Sequence, residues 1–116
     1  MIPRPGVTIA TRILAFSYKP EIDEPTKQAL RESILNLQTK CRRDGHPYIR
    51  DISAGSQKSS EPFSKGLEYM FIITFNSFEE RSYFIREDPE HQAFQLQLNE
   101  VVSNVWIGDF QDSVWA

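Results

Sequence analysis

Residues 67–75 (LEYMFIITF) are the most apolar run in the chain, and they predict the element around which the fold is built. The run is short and dense in β-branched and aromatic residues, which is typical of a strand. Its composition predicts a central strand buried on both faces of a sheet. The polar segment before it, residues 55–66 (GSQKSSEPFSKG), is longer than a tight hairpin needs and predicts a mobile loop that could cover a site.

The first strand is predicted over residues 7–18, which are rich in Val, Ile, Thr and aromatic side chains. Alternation places Arg12 on the same face as Leu14, Phe16 and Tyr18. An arginine on an apolar face needs a sheet end or a polar pocket for its guanidinium. The simpler interpretation is an arginine at a strand end whose charged group reaches water.

A helix and a short strand follow the first strand. Asp23 is a plausible N-cap, and apolar residues at helical spacing continue from Leu30 to Cys41, with the cations of residues 42–43 at the helix end. Asp44-Gly45 predicts the end of this helix, and residues 48–52 (YIRDI) predict a second strand.

After the central strand, Ser77 to Glu80 matches a capping box, in which each side chain satisfies a free backbone donor at a helix start. That helix is interrupted before Pro89, because a residue preceding proline disfavours helical geometry. Asp88 and Pro89 then restart a helix. Residues 104–110 (NVWIGDF) predict the last strand.

His91 falls in the first turn of the restarted helix. Free backbone N–H groups and the positive end of the helix dipole favour its neutral imidazole, which can act as a base. A surface histidine in a well-capped helix is the alternative. His46, in a turn, is predicted to be a solvated histidine.

The element order is strand, helix, strand, strand, broken helix, strand. In one domain this order predicts the α+β class and a ferredoxin-like βαββαβ subunit, with an antiparallel sheet and its helices on one face. An uncovered face rich in aromatic residues risks aggregation, so we expect a second copy of the chain to cover it and form a homodimer. Trp106 or Trp115 is expected to contribute.

Composition narrows the function classes. The chain has 116 residues and a net charge of −3, so we expect a single domain over 1–116, with its core at about 8–111, and no nucleic acid or membrane partner. No segment predicts a signal peptide or a transmembrane helix, which predicts a cytoplasmic protein. Cys41 is the single cysteine, and two distant histidines give no metal-ligand spacing, so we expect no metal.

Four segments carry a resemblance that spans about Thr8 to Gln111: residues 12–20 (RILAFSYKP), 63–75 (FSKGLEYMFIITF), 88–94 (DPEHQAF) and 105–110 (VWIGDF). Through them the chain resembles the stress-responsive dimeric α+β barrel family. The resemblance implies two ferredoxin-like subunits whose sheets face each other across a barrel, with a pocket between each sheet and its helices. The family's characterised branch includes plant polyketide cyclases of secondary metabolism, which work by aldol chemistry without metal or organic cofactor.

The resemblance also assigns roles to residues. The catalytic histidine of the cyclase branch falls on His91. The place of its catalytic tyrosine falls on Phe84, counted from the end of the central strand, with Tyr83 beside it. Two pocket histidines of the branch fall on Arg12 and Tyr69, which are departures from the pattern. The last strand's Asp109 matches an aspartate of the branch.

These roles suggest a cofactor-independent cyclase or lyase for a small, apolar, polyketide-like carbonyl compound, in which His91 takes a proton next to the carbonyl. Tyr83, Tyr69 or Arg12 would donate hydrogen bonds to the enolate. The expected pocket lining is largely apolar: Leu14, Phe16, Phe71, Phe78, Phe84, Phe94, Val105 and Ile107.

Two further functions stay open. One is a small-molecule-binding or structural stress-response dimer without turnover, and the other is a cofactorless oxygenase of the same architecture. RNA binding through this strand order is rejected, because residues 67–75 lack the basic-Gly-aromatic signature and the domain is acidic.

Overall fold

A computed structural model describes residues 8–116. Along the chain its elements are β1 (Ala10–Tyr18), α1 (Glu24–Lys40), β2 (Arg42–Arg43), β3 (His46–Pro47), β4 (Ile49–Ser56), β5 (Tyr69–Phe75), α2 (Phe78–Arg86), α3 (Pro89–Val101) and β6 (Val102–Gln111). β4, β5, β1 and β6 form an antiparallel sheet in that spatial order, and β2 pairs with β3. The ferredoxin-like α+β class is therefore confirmed. The Pro-rich start of the chain and Val7, the predicted start of the first strand, lie outside the described residues.

The helix starts follow the predicted caps. Asp23 accepts a hydrogen bond from the backbone N–H of Thr26, and Ser77 accepts one from Glu80. The bond from the Glu80 backbone N–H to the Ser77 hydroxyl forms one half of the capping box. The Oε1 atom of Glu80, on the side chain expected to form the other half, is buried without a partner among the described residues. Asp88 caps α3 by accepting from the N–H of Glu90.

The first helix is shorter than the sequence suggests. It ends at Lys40, and residues 42–43 leave it to form β2. Asp44 and Gly45 have φ angles of 52° and 81°, so they form the tight turn that brings β3 back against β2.

The central strand β5 is buried on one face only within this chain. Phe71, Ile73 and Phe75 lie under the helices at 1%, 1% and 0% exposure, whereas Met70 is exposed and Ile72 is half-buried. The expectation of burial on both faces is therefore wrong for a single subunit. We call the sheet face opposite the helices the outer face; it carries Ile13, Ala15, Met70, Ile72, Trp106 and Phe110.

The loop after β4 belongs to the outer face. β4 continues to Ser56, beyond the predicted strand, so the loop covers residues 57–68. It forms a cleft of about 270 Å³ with Ala15 and Met70. This position is away from His91, since His91 lies on the helix side of the sheet.

The core lies between the sheet and the helices, where aromatic rings connect the layers. The ring of Phe71 on β5 meets Phe94 of α3 edge-on at 6.0 Å between centroids. Phe75 contacts Phe84 of α2 at 5.3 Å. These contacts hold α2 and α3 over the centre of the sheet and so determine where His91 lies.

Candidate active site

His91 is buried in the first turn of α3. It is 6% exposed, and its ring lies 4.1 Å from the ring of Phe84, measured between centroids. The break between α2 and α3 produces this contact, because it lets the start of α3 fold back on the buried face of α2. His91 is thus a core residue, and the solvated surface histidine is excluded.

The surroundings of His91 favour the neutral imidazole. Burial, and then the positive charge of Arg12, lower its pKa from 6.5 to about 4. The negative charge of Asp88 and the backbone of Phe84 act in the opposite direction with a smaller effect. Nδ1 is buried without a partner among residues 8–116.

Arg12 lies beside His91 as part of an ion pair between strands. It faces Asp109 in the β1–β6 register, and its Nη1 is 2.9 Å from Oδ2 and 3.2 Å from Oδ1 of that residue. Arg81 of α2 approaches the same carboxylate, with 4.0 Å between Nη1 and Oδ1. Arg12 is 8% exposed, so the strand-end interpretation is wrong and the polar pocket is correct.

A narrow cleft of about 40 Å³ opens between β1, β6 and α3 beside these groups. Since one water needs roughly 10–15 Å³, the cleft holds about three atoms of water size, as in one small functional group. Its lining contains six predicted site residues, Arg12, Leu14, His91, Phe94, Val105 and Ile107, together with Gln95, Leu98 and Asn99. Gln95 and Asn99 were missed, although their spacing of four and eight residues from His91 places them on the same helix face.

Two predicted pocket residues lie elsewhere. Phe16 and Tyr69 line a second cleft, of about 300 Å³, between α1 and the ends of β4 and β5, together with Tyr18 and Arg31. They stand at the opposite end of β1 and β5 from Arg12. The prediction that Phe16 and Tyr69 line the same pocket as His91 is therefore corrected, because the strand register separates them from it.

Other predicted pocket residues are not part of the cleft wall. Phe71 belongs to the core at 1% exposure. Phe78 is 40% exposed, with the guanidinium of Arg81 3.9 Å above its ring.

The structure does not bring Tyr83 to His91. The ring of Tyr83 meets Tyr48 at 5.3 Å between centroids and lies 4.8 Å from the guanidinium carbon of Arg43. Neighbouring helical residues point about 100° apart, and α2 stays helical here, so Phe84 takes the place next to His91. Tyr83 could reach His91 only if the end of α2 unwound or rotated, and α2 does neither.

A buried polar cluster behind His91 was not predicted. The hydroxyl of Tyr48 donates a hydrogen bond to Oδ2 of Asp88, which is 1% exposed. Burial and Asp88 raise the pKa of Tyr48, and the same causes raise the pKa of the fully buried Cys41 thiol. Both groups therefore stay protonated beside the carboxylate, which fixes the start of α3. The sequence predicted only one part of this cluster, namely that Asp88 is the N-cap of α3.

Within residues 8–116, no group of three or more His, Cys, Asp or Glu side chains is arranged to hold a metal ion. None of the helices in this part of the chain is long and apolar enough to cross a membrane.

Comparison with known proteins gives the same fold. A protein from Arabidopsis thaliana matches with 20% identity and a TM-score of 0.79, covering 92% of this chain and 98% of its own. The hydroxynitrile lyase from Passiflora edulis matches with 15% identity and a TM-score of 0.79, covering 93% and 97%. A ferredoxin-like protein from Bacteroides fragilis, described as dimeric and of unknown function, matches with 17% identity and a TM-score of 0.63, covering 89% and 95%.

No curated protein matches the chain. The model of the stress responsive A/B barrel domain matches residues 10–112, nearly the whole chain. The protein therefore belongs to the stress responsive A/B barrel domain family.

Proposed function

We propose that this protein is a cofactor-independent lyase- or cyclase-type enzyme for small, largely apolar carbonyl compounds, with His91 as general base. The observation that carries the proposal is the neutral imidazole of His91 beside the guanidinium of Arg12 in one cleft. A base and a cationic hydrogen-bond donor side by side are what proton removal next to a carbonyl requires.

The chemistry follows from that pairing. The neutral imidazole of His91 takes the proton from the carbon next to the carbonyl, and the electron pair of the broken C–H bond moves into an enolate. Arg12 donates hydrogen bonds to the enolate oxygen, while Asp109 holds the guanidinium in place. In a cyclisation the enolate carbon then attacks a second carbonyl, and the alkoxide that forms takes the proton back from His91. In the lyase direction the steps run in reverse: His91 takes the proton of a hydroxyl group on the β-carbon, the carbon–carbon bond breaks as that carbon becomes a carbonyl, and the enolate that leaves takes the proton back. Tyr83 stays a prediction as a catalytic residue, and the contacts of its ring do not support it.

The likeness to a hydroxynitrile lyase supports this proposal at the level of the scaffold. It shows that the fold accommodates a lyase. The residues that would perform the chemistry here are argued from this chain alone.

We also propose that the working unit is a homodimer formed through the outer face. Trp106 is 53% exposed, Phe110 50% and Met70 38%, and together they leave an apolar surface that the chain itself does not cover. Solved structures of similar fold are described as dimeric. A second sheet packed on this face would give the barrel after which the family is named.

A dimer that binds a small molecule without turnover is the second candidate function. Two observations favour it: a pKa of about 4 makes His91 a weak base, and the cleft of about 40 Å³ admits only part of a ligand.

Proton removal can be tested without knowing the substrate. Small ketones and poly-β-keto esters are incubated with the protein in D₂O, and NMR follows exchange of the hydrogens next to the carbonyl. We expect His91→Ala to slow the exchange by about a hundred- to ten-thousand-fold, as for loss of a general base. His46→Ala, which changes the chain's other, exposed histidine, should keep the full rate.

Equal exchange by wild type and His91→Ala would refute the base assignment. Binding of these compounds without any exchange above the rate in buffer would establish the second candidate function instead.

A further inference from the structure

We propose that the Arg12 side of the cleft is a carboxylate subsite, so that the substrate of His91 is a carbonyl compound that also carries a carboxylate. The inference rests on the proposed function and names its substrate class.

Arg12 has unused hydrogen-bonding capacity. Its side chain is 9% exposed, and both of its hydrogen bonds to Asp109 come from Nη1. Nε is buried without a partner among the described residues. A buried donor without a partner is unfavourable, and a ligand oxygen placed there would remove that cost. The Nε and Nη2 edge of a guanidinium matches the two oxygens of a carboxylate, and the second N–H of Nη2 remains for the enolate oxygen.

The charges around Arg12 also favour an anion. Asp109 is shared between Arg12 and Arg81, so one carboxylate serves two guanidinium groups. The Nε atom of Arg81 is also buried without a partner, and Glu80 on the same helix forms no ion pair within residues 8–116. A second carboxylate would balance the second arginine.

A carboxylate on Arg12 would strengthen the base as well. The groups that set the charge around His91 are Arg12 on β1, with its partner Asp109 on β6, and Asp88 at the start of α3. Arg12 lowers the pKa of His91, and an anion bound to Arg12 would offset that effect. A substrate with an acid group would therefore convert a weak base into a stronger one on binding.

The cleft has room for such a group. A volume of about 40 Å³ suits one carboxylate. The rest of the ligand would lie along the open side of the cleft, where Val105 is 39% and Ile107 43% exposed. An acid with an apolar remainder fits both parts of the lining.

NMR titration of the two histidines in the intact protein tests the inference without turnover. Acetoacetate and acetoacetamide are the probes, since they have nearly the same size and both carry a carbonyl, but the first alone is charged at neutral pH. We expect acetoacetate to raise the pKa of His91 by about one unit or more. Acetoacetamide should leave it unchanged, and the His46 signal should respond to neither probe.

The double variant Arg12→Gln/Asp109→Asn removes both charges and keeps a polar pair across the strands, so neither member of the pair is left as an unpaired buried charge. Arg81 loses the carboxylate 4.0 Å from its Nη1 but keeps its contact with the ring of Phe78. In this variant the pKa of His91 should be higher without ligand, and acetoacetate should no longer change it. An equal response to both probes, a wild-type response in the double variant, or no response to acetoacetate at millimolar concentration would overturn the inference.

These outcomes are separable from failure of the proposed function. A protein that exchanges hydrogens of neutral ketones but ignores acetoacetate keeps its base and loses its carboxylate subsite. A protein whose His91 responds to acetoacetate but that catalyses no exchange keeps the subsite as a binding site only.

Discussion

Burial of the His91 imidazole makes the stability of the fold depend on pH. The pKa of His91 is about 4 in the folded protein and close to 6.5 in the unfolded chain. Between these values the unfolded chain binds more protons, so the free energy of unfolding rises with pH. We expect this residue alone to remove on the order of 3 kcal/mol of stability as the pH falls from about 6.5 to 4, with no contribution to the slope above that window.

Urea unfolding at a series of pH values from 7.5 to 4 measures this dependence. His91→Gln, which stays neutral throughout, should lose that part of the slope, while His46→Gln should keep it. A slope that is unchanged in His91→Gln would mean that other groups cause the acid sensitivity.

The hydroxyl of Tyr48 is a second residue whose removal should be felt. It donates to the buried carboxylate of Asp88, and a hydrogen bond to a charged group contributes about 1.5–3 kcal/mol. Tyr48→Phe should lower the free energy of unfolding by that amount. Tyr69→Phe is the matched control, since the Tyr69 hydroxyl makes no hydrogen bond with a residue of the described part of the chain, and it should cost far less. Similar losses for both variants would contradict the role given to the Asp88 cluster.

What the sequence revealed about single residues depended on how local their environment is. The cap of Asp88 and the place of His91 follow from neighbouring residues and were predicted. The environment of Arg12 is set by Asp109, its partner in the β1–β6 register, so no local pattern could show that its charge is neutralised inside the fold. Tyr83 and Phe84 are neighbours on α2 whose side chains point in different directions. Because the helix breaks before α3, the sequence could not show which of the two faces His91.

At the level of elements, β6 contributes to two surfaces, because its side chains point alternately to the two faces of the sheet. Val105, Ile107 and Asp109 point to the helix side and contribute to the surroundings of the cleft. Trp106 and Phe110 point to the outer face. Any change that displaces this edge strand therefore affects both the candidate active site and the proposed dimer surface.

Gly108 allows the indole of Trp106 to lie flat along β6. A Cβ atom at this position would lie 2.4 Å from Cη2 of Trp106. We expect Gly108→Ala to push the ring outward and to shift its fluorescence in a Trp115→Phe background, at little cost in stability, because the indole is the end of a flexible side chain that is 53% exposed.

Gly55→Ala on the other edge strand, β4, is the control for that change. A Cβ atom there meets nothing within 4 Å, so fluorescence and stability should stay close to those of the background. An unaltered spectrum in Gly108→Ala would show that the indole does not rest on Gly108 in solution.

Element boundaries were harder to predict than element types. The apolar composition of β5 and the N-cap residues of the helices are local features of the sequence, and the elements predicted from them are confirmed. β4 runs on through Ala54, Gly55 and Ser56, which have low strand propensity, because pairing with β5 satisfies their backbone groups. The β2–β3 hairpin likewise depends on the positive φ angles of Asp44 and Gly45.

At the scale of the whole molecule, the side chains of β5 alternate between a buried face and a partly open face. A run as apolar as LEYMFIITF indicates two buried faces, yet one face of β5 is partly open in the single chain. In the proposed dimer a second copy of the chain would cover this open face, so that both faces of β5 would then be buried.

The dimer proposal gives a measurable mass. Sedimentation at micromolar concentration should give twice the 13.5 kDa of the chain. Trp106→Lys places a charge on the outer face, where burying it without a partner is costly, and should give a folded monomer. Leu96→Lys is the matched control, since Leu96 is 70% exposed on α3, away from the outer face, and it should stay dimeric. If Trp106→Lys keeps the doubled mass, or if the wild type sediments as a monomer, the outer face is not the interface and its apolar side chains need another cover.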